Sequence, residues 1–280
     1  MNADEYTWDD RYPDRALLRR EIAAVTDAFL DALFSAFSRE AVAGVYAKGS
    51  TRKAWDSPLD YVPELSDVDF HVLFADDRPG TQYFGSVETG IAMQRALEEG
   101  YIRRIAYPIH TPRVQLVIAN DLHRQPHFIH SVSETVETLF GQPYPQAIID
   151  STKSLAATRD NLLSHEPFLR DLGEHVADKP GRHLWEMLRV MSWRVGPTGP
   201  RILELKGVPF LDAWGVNRTT IVRMLQNSGE HDLAVDYATY YLRGWRYFLS
   251  RRLDSETARQ AILAGSRVLA RGIAVAQGSS

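Results

Sequence analysis

Gly44-Val45-Tyr46-Ala47-Lys48-Gly49-Ser50, followed by Asp67-Val68-Asp69 and then Phe70-His71-Val72-Leu73-Phe74, is the stretch on which the fold turns. Val42 to Ala47 is a short apolar run of β-forming residues and Val68 to Phe74 is another, so two strands are expected, joined by a polar excursion that contains Pro58 and Pro63. Side chains alternate between the faces of a strand. Asp67 and Asp69 therefore point one way, while Val68 and Phe70 point the other way into a core. Two carboxylates this close repel each other unless a cation lies between them. Their oxygen donors suit a hard divalent ion such as Mg²⁺, which typically takes a substrate phosphate among its remaining ligands. At the end of the first strand, Gly49 lets backbone N–H groups approach a phosphate closely, and the Ser50 hydroxyl adds a hydrogen bond.

Upstream, the apolar positions Leu17, Leu18, Ile22, Val25, Phe29, Leu30, Leu33 and Phe34 recur at intervals of three and four, which predicts one long amphipathic helix from Arg15 to Phe37. Downstream, residues 86–100 suit a helix with Ile91, Ala92, Ala96 and Leu97 on one face. Val114 to Ala119 reads as a third strand between Pro112 and Asn120-Asp121. Beyond about Pro145 the periodicity is helical, with breakers at Pro167, Lys179-Pro180-Gly181, Gly196-Pro197 and Gly229. The expected class is α+β: an N-terminal α/β domain with a short mixed sheet over residues 1–145, then an all-helical domain over residues 146–280. Leu184, Leu188, Met191 and Val195 form one apolar stripe, and Tyr237, Tyr240, Tyr241, Trp245 and Phe248 an aromatic one. Core packing explains both better than a ligand platform does.

Strand, Gly-Ser, a long connection and then Asp-x-Asp within an apolar strand resembles the signature of the nucleotidyltransferase superfamily, whose fold is shared with DNA polymerase beta. The resemblance covers residues 15–125. In the second half, Leu184-Trp185-Glu186-Met187-Leu188-Arg189, then Gly196-Pro197-Thr198-Gly199-Pro200, Leu205-Lys206-Gly207 and Asp212-Ala213-Trp214, is sparsely similar to the two-domain aminoglycoside adenylyltransferases. That resemblance implies a Mg²⁺-dependent transfer of a nucleoside monophosphate, AMP from ATP, to a hydroxyl of a small, aminoglycoside-like molecule. It implies Asp67 and Asp69 as metal ligands, and Gly49 and Ser50 holding the triphosphate in line while the acceptor hydroxyl attacks the α-phosphate and pyrophosphate leaves. It also implies Lys206 approaching the triphosphate, against the alternative of a helix-end lysine opposing the macrodipole. Arg52 and Lys53 follow the Gly-Ser and suit triphosphate charge as well as they suit solvent.

One position departs from that pattern. The family's third carboxylate, a metal ligand or general base, lies mid-strand on the neighbouring strand, and in Arg113-Val114-Gln115-Leu116-Val117-Ile118 the residue there is Gln115. An amide takes no proton at neutral pH. Three readings stay open: a base from elsewhere, with Asp121, Glu64, Asp56 and Asp60 as stand-ins; positioning alone, since a loose transition state asks little of a base; or a catalytically weakened nucleotide-binding or regulatory protein of this fold. An acidic cleft suited to a polycationic acceptor would draw on Glu64, Asp56, Asp60, Glu88 and Asp212. His71 shares the face of the two aspartates. His123, His127 and His130 have metal-like spacing, but Pro126 interrupts them and favours a polar loop. Arg103-Arg104 and Arg251-Arg252 read as solvated surface.

Composition narrows the classes. At about 150 residues per domain, 280 residues suit roughly two domains. Without cysteine there is no disulfide framework, thiolate nucleophile or sulfur-ligated metal. A net charge of -4, from 32 basic and 36 acidic side chains, gives no global cationic field, so nucleic acid is not an expected partner. The apolar runs fall short of a membrane span, and the first residues have neither the basic nor the apolar segment of a signal peptide. A soluble, cytoplasmic protein is expected.

Overall fold

A computed structural model describes residues 6–76, 78–125, 128–146 and 150–278. They fall into two compact units. Residues 9–52 and 67–146 form a sheet unit, and residues 6–8, 53–66 and 150–278 form a helical unit. The chain therefore leaves the sheet unit after Arg52, contributes the excursion between its first two strands to the helical unit, and returns at Asp67.

In the sheet unit, Asp14 accepts a hydrogen bond from the Ala16 N–H at 2.7 Å and so caps α1 (Arg15–Ala36). The expected stripe is buried at Leu18, Ile22, Val25, Phe29 and Leu33, whereas Leu17 lies outside it, exposed. Four strands, β1 (Val42–Lys48), β2 (Asp67–Phe74), β3 (Arg113–Ile118) and β4 (Glu137–Gly141), lie in the order β3-β2-β1-β4. β1 is antiparallel to β2 and β4, and β2 is parallel to β3, so the sheet is mixed. A parallel pair needs a crossover, and the short α2 (Gly80–Tyr83) and longer α3 (Val87–Arg104) lie on that connection. Another short helix, α4 (Ala119–His123), follows β3. Phe29 stacks on Phe70 with centroids 4.2 Å apart, so α1 covers the apolar face of the sheet. The burial of α3 differs from the sequence expectation: Met93, Gly100 and Tyr101 are its buried positions, and Ile91 is exposed. Gly100 lies against Ala28 of α1, where only a small residue permits close helix approach.

From residue 150 the described chain is helices and their connections: α5 (Ser151–Leu163), α6 (Glu166–Ala177), α7 (Leu184–Leu205), α8 (Phe210–Gly215), α9 (Arg218–Asn227), α10 (His231–Leu249) and α11 (Ser255–Gly278). The expected break at Gly196-Pro197 does not occur, because α7 runs through both Pro197 and Pro200. A proline at position 200 withholds the N–H that the Gly196 carbonyl would otherwise receive. The Tyr237 hydroxyl donates to that carbonyl instead, at 2.9 Å. Tyr237, Tyr240, Tyr241 and Trp245 of α10 are all buried, as are Leu184, Leu188, Met191 and Val195 of α7.

The excursion is built into this helical core. Leu59, Tyr61, Val62 and Leu65 are buried, and Trp245 Nε1 donates to the carbonyls of Pro58 and Tyr61 at 2.7 and 2.8 Å. Asp60, 1% exposed, accepts from the N–H groups of Asp56, Ser57 and Thr219 and from the Thr219 hydroxyl, all between 2.8 and 3.0 Å. Arg218 donates to the Leu59 carbonyl and the Ser66 hydroxyl and lies 4.1 Å from the Tyr241 ring centroid. Among the described residues no helix is long and apolar enough to cross a membrane.

Candidate functional site

The polar face of the sheet follows from register. Asp69 is paired with Lys48 across the antiparallel ladder and with Gln115 across the parallel one, while Asp67 is paired with Arg113. Paired residues share a face, so Lys48, Asp67, Asp69, Arg113 and Gln115 all point away from α1. Gln115 is exposed and stands directly beside Asp69, mid-strand on the neighbouring strand.

Gly49 opens a single 3₁₀ turn, Gly49–Thr51, at the end of β1. Its φ of +81° lies in the left-handed region, and a Cβ at this position would stand 2.1 Å from Asp69 Oδ2. Only glycine satisfies both conditions, so the Gly-Ser turn is seated against the second carboxylate. Arg19 of α1 donates to the Thr51 carbonyl at 2.5 Å and holds the turn from behind. Arg52 pairs with Glu137 of β4 and donates to the Thr26 hydroxyl at 3.2 Å. Burial pulls its guanidinium below the ordinary value, and Glu137 opposes that effect.

Neither aspartate stands in an uncompensated environment. Arg113 Nη1 is 2.9 Å from Asp67 Oδ1, with the aspartate side chain only 10% exposed. Lys48 is pulled down from the usual lysine value by burial, Asp69 opposing, and its Nζ is 3.0 Å from the Ser131 hydroxyl. His71 is 4% exposed and pushed down to about 3, chiefly by burial and then by the charges of Lys48 and His123. It is therefore a neutral imidazole at neutral pH. Beyond it lie the rings of His123 and His130, 5.1 Å apart, with Tyr144 packing on both His130 and Tyr46. Burial lowers both histidines, and His130 Nδ1 has no hydrogen-bond partner. His127 lies outside the described residues. Among the described residues no three His, Asp or Glu side chains come together as a metal-holding group.

The residues singled out from sequence thus divide between units. Asp67, Asp69, Gln115, Gly49, Ser50 and Arg52 belong to the sheet unit, and Lys53 and Lys206 to the helical unit. Lys53 donates to the carbonyls of Trp214 and Val216 at 2.6 and 2.8 Å, closing the end of α8. Lys206 follows α7 and lies 2.8 Å from Glu230, which also takes Arg271 at 2.7 Å. The stand-in acids are engaged as well: Glu64 with Arg252, Asp56 with Asn217 Nδ2 at 2.8 Å, and Asp121 with the Gly80 N–H and Arg124. Sequence reasoning overlooked Arg113. Its signal was its position two residues before Gln115, which parallel pairing turns into a neighbour of Asp67. The chain matches no protein-family model, no curated protein and no solved structure.

Proposed function

We propose that the protein is a Mg²⁺-dependent nucleotidyltransferase that transfers a nucleoside monophosphate, AMP from ATP, to a hydroxyl of a small, aminoglycoside-like acceptor. The observation that carries the reading is the seating of Gly49 against Asp69, with Asp67 on the same face and Gln115 alongside. A phosphate-approaching turn and two oxygen-donor side chains occupy one patch of sheet. The choice of ATP and of the acceptor rests on the resemblance of the motifs alone.

Two carboxylates on one face offer the hard oxygen donors that Mg²⁺ prefers, and Asp67 and Asp69 are the residues that would hold it. When bound, the ion neutralises phosphate charge and orients the triphosphate. The chain's own contribution is positioning. The left-handed turn at Gly49 removes side-chain bulk from the phosphate approach, and Ser50 adds a hydroxyl. Gln115 offers an amide that orients an acceptor hydroxyl by hydrogen bonding without accepting its proton.

A second reading, a nucleotide-binding or regulatory protein with weakened catalysis, draws on two specific observations: the amide at position 115 and the Arg113 guanidinium already compensating Asp67. Calorimetric titration of ATP and of GTP, with and without Mg²⁺, tests what the readings share. Metal-dependent binding that disappears in Asp67→Asn/Asp69→Asn is expected, and equal binding by that variant overturns the metal assignment. Pyrophosphate release across a panel of hydroxyl acceptors then separates them: release supports the transferase, and tight binding without release supports the weakened protein.

A further inference from the structure

Four of the chain's five lysines belong to the helical unit and are engaged there. Lys153, Lys179 and Lys206 lie 3.8, 2.9 and 2.8 Å from Asp150, Asp178 and Glu230, and Lys53 donates to two carbonyls at the end of α8. Lys48, on the sheet, differs. Among the described residues no carboxylate forms an ion pair with it, and its Nζ is 3.0 Å from the neutral Ser131 hydroxyl. An ammonium carries three donors, and one hydroxyl answers one of them. Burial pulls Lys48 below the usual lysine value, with the charge of Asp69 opposing. A desolvated cation with a neutral partner is costly unless an anion joins it.

A closed ring of contacts fixes that ammonium. The Ser131 N–H donates to the Tyr144 hydroxyl at 3.0 Å, and the Tyr144 ring packs edge-on against Tyr46 with centroids 5.1 Å apart. Tyr46 stands two residues before Lys48 on β1, so the two share the polar face. Lys48 is partly exposed, as are Gly49, Ser50 and Asp69 beside it, so a ligand laid on the face can reach it. Its place in the sheet is defined by register: Gln115, Asp69 and Lys48 form one row across β3, β2 and β1. With strands about 4.7–4.9 Å apart, Gln115 and Lys48 stand about 10 Å from each other, on opposite sides of Asp69.

We propose that Lys48 binds the pyrophosphate end of the nucleotide and answers its charge as it leaves, with Ser131 and Tyr144 as positioning residues; this rests on the nucleotidyltransferase reading of the same face. In that reaction the acceptor oxygen bonds the α-phosphorus, the bond from that phosphorus to the bridging oxygen breaks with its electron pair on pyrophosphate, and the acceptor's proton passes to solvent. Attacking and leaving oxygens lie roughly in line. An acceptor hydroxyl oriented by Gln115 on one side of Asp69 therefore directs the leaving group to the other side, where Lys48 stands. A compact ammonium suits the growing charge on the pyrophosphate oxygens.

The test combines calorimetric titration of the full chain with ATP and with AMP, both with Mg²⁺, and mass-spectrometric mapping of lysine acetylation, which five lysines keep simple. ATP is expected to protect Lys48 from acetylation and AMP to leave it reactive. Lys48→Gln should weaken ATP binding about tenfold or more while AMP binding changes by less than about twofold, Lys48→Arg should recover part of the loss, and Ser131→Ala should give a smaller loss confined to ATP. An acetylation level at Lys48 that saturating ATP leaves unchanged in the wild-type protein overturns the proposal whether or not the variants fold. So does protection of Lys206 in its place, or a Lys48→Gln variant that binds ATP like the wild type. Equal losses of ATP and AMP in that variant mark a purely structural lysine and overturn it too. A wild-type protein that binds neither nucleotide, or an Asp67→Asn/Asp69→Asn variant that binds ATP equally well, brings down the nucleotidyltransferase reading itself and the proposal with it.

Discussion

Gly49→Ala tests the geometry of the candidate site without assuming any activity. The substitution meets two separate obstacles. At φ +81° an alanine occupies the left-handed region, which costs about 1–2 kcal/mol. Its Cβ would also fall 2.1 Å from Asp69 Oδ2 and 3.2 Å from Cγ, so the carboxylate must rotate away from its place, at about 0.5–1.5 kcal/mol for an off-rotamer side chain. Together these predict a destabilisation of about 1.5–3.5 kcal/mol. In an Asp69→Ala background the clashing atoms are gone, and the remaining Asp69 atom near the new methyl, Cβ, lies at 3.8 Å, an ordinary contact. There Gly49→Ala should cost only the backbone term, so the double-mutant cycle should return a coupling of about 1 kcal/mol. Urea denaturation of the four proteins, with m-values compared to confirm a common unfolding reaction, measures it. Equal costs in the two backgrounds would refute the claim that the turn is seated on the carboxylate, and no cost in either would refute the left-handed turn itself.

Gln115→Glu places an acid beside Asp69, and if the weak point of the site is its missing base, pyrophosphate release should rise at least tenfold. A fall would show that a third carboxylate is repelled and that proton transfer does not depend on this position. Tyr237→Phe removes the donor to the part-buried Gly196 carbonyl, so a loss of about 0.5–1.5 kcal/mol is expected by thermal or chemical denaturation. An unchanged protein would mean that water replaces the hydroxyl. The hydrogen bond from Arg271, and then that from Lys206, hold Glu230 at about 2 against an ordinary 4.5. A depressed carboxylate stabilises fully above pH 4.5 and loses that contribution as pH falls toward 2. With Lys206 and Arg271 side chains 32% and 48% exposed, solvent screening reduces the ideal value of about 3 kcal/mol to about 1–2. Between pH 7 and 2 the wild type should therefore lose about that much more stability than Glu230→Gln, and parallel pH profiles would dismiss the network as a stabilising element.

The α+β order, the opening helix, three of the strands and the helical second half were legible because each rests on local periodicity. What was illegible depends on long-range partners. β4, Glu137–Gly141, is short and poorly alternating, and it becomes a strand because Tyr46 and Ala47 offer their outer edge to Thr138 and Glu137. The run through Pro197 and Pro200 could not be read locally either, since the donor that rescues the broken ladder is Tyr237, 41 residues away from Gly196. For α3, Ile91 and Leu97 look equivalent as hydrophobes, and the choice of face was made by Gly100 packing on Ala28.

The candidate site shows the same division more sharply. Alternation along β2 was enough to put Asp67 and Asp69 on one face. Only the parallel register of β3 reveals that a guanidinium meets the first aspartate and an amide the second. Register also gives the arrangement its electrostatic character, because each carboxylate has a cation beside it, Arg113 for Asp67 and Lys48 for Asp69. A divalent ion arriving alone would find its charge already partly supplied, whereas an ion arriving on a triphosphate brings negative charge that Lys48, Arg52 and Arg113 can answer. In the proposed function, binding of the metal and of the nucleotide would therefore each depend on the other, a consequence of Lys48 and Arg113, the two cations beside the aspartates.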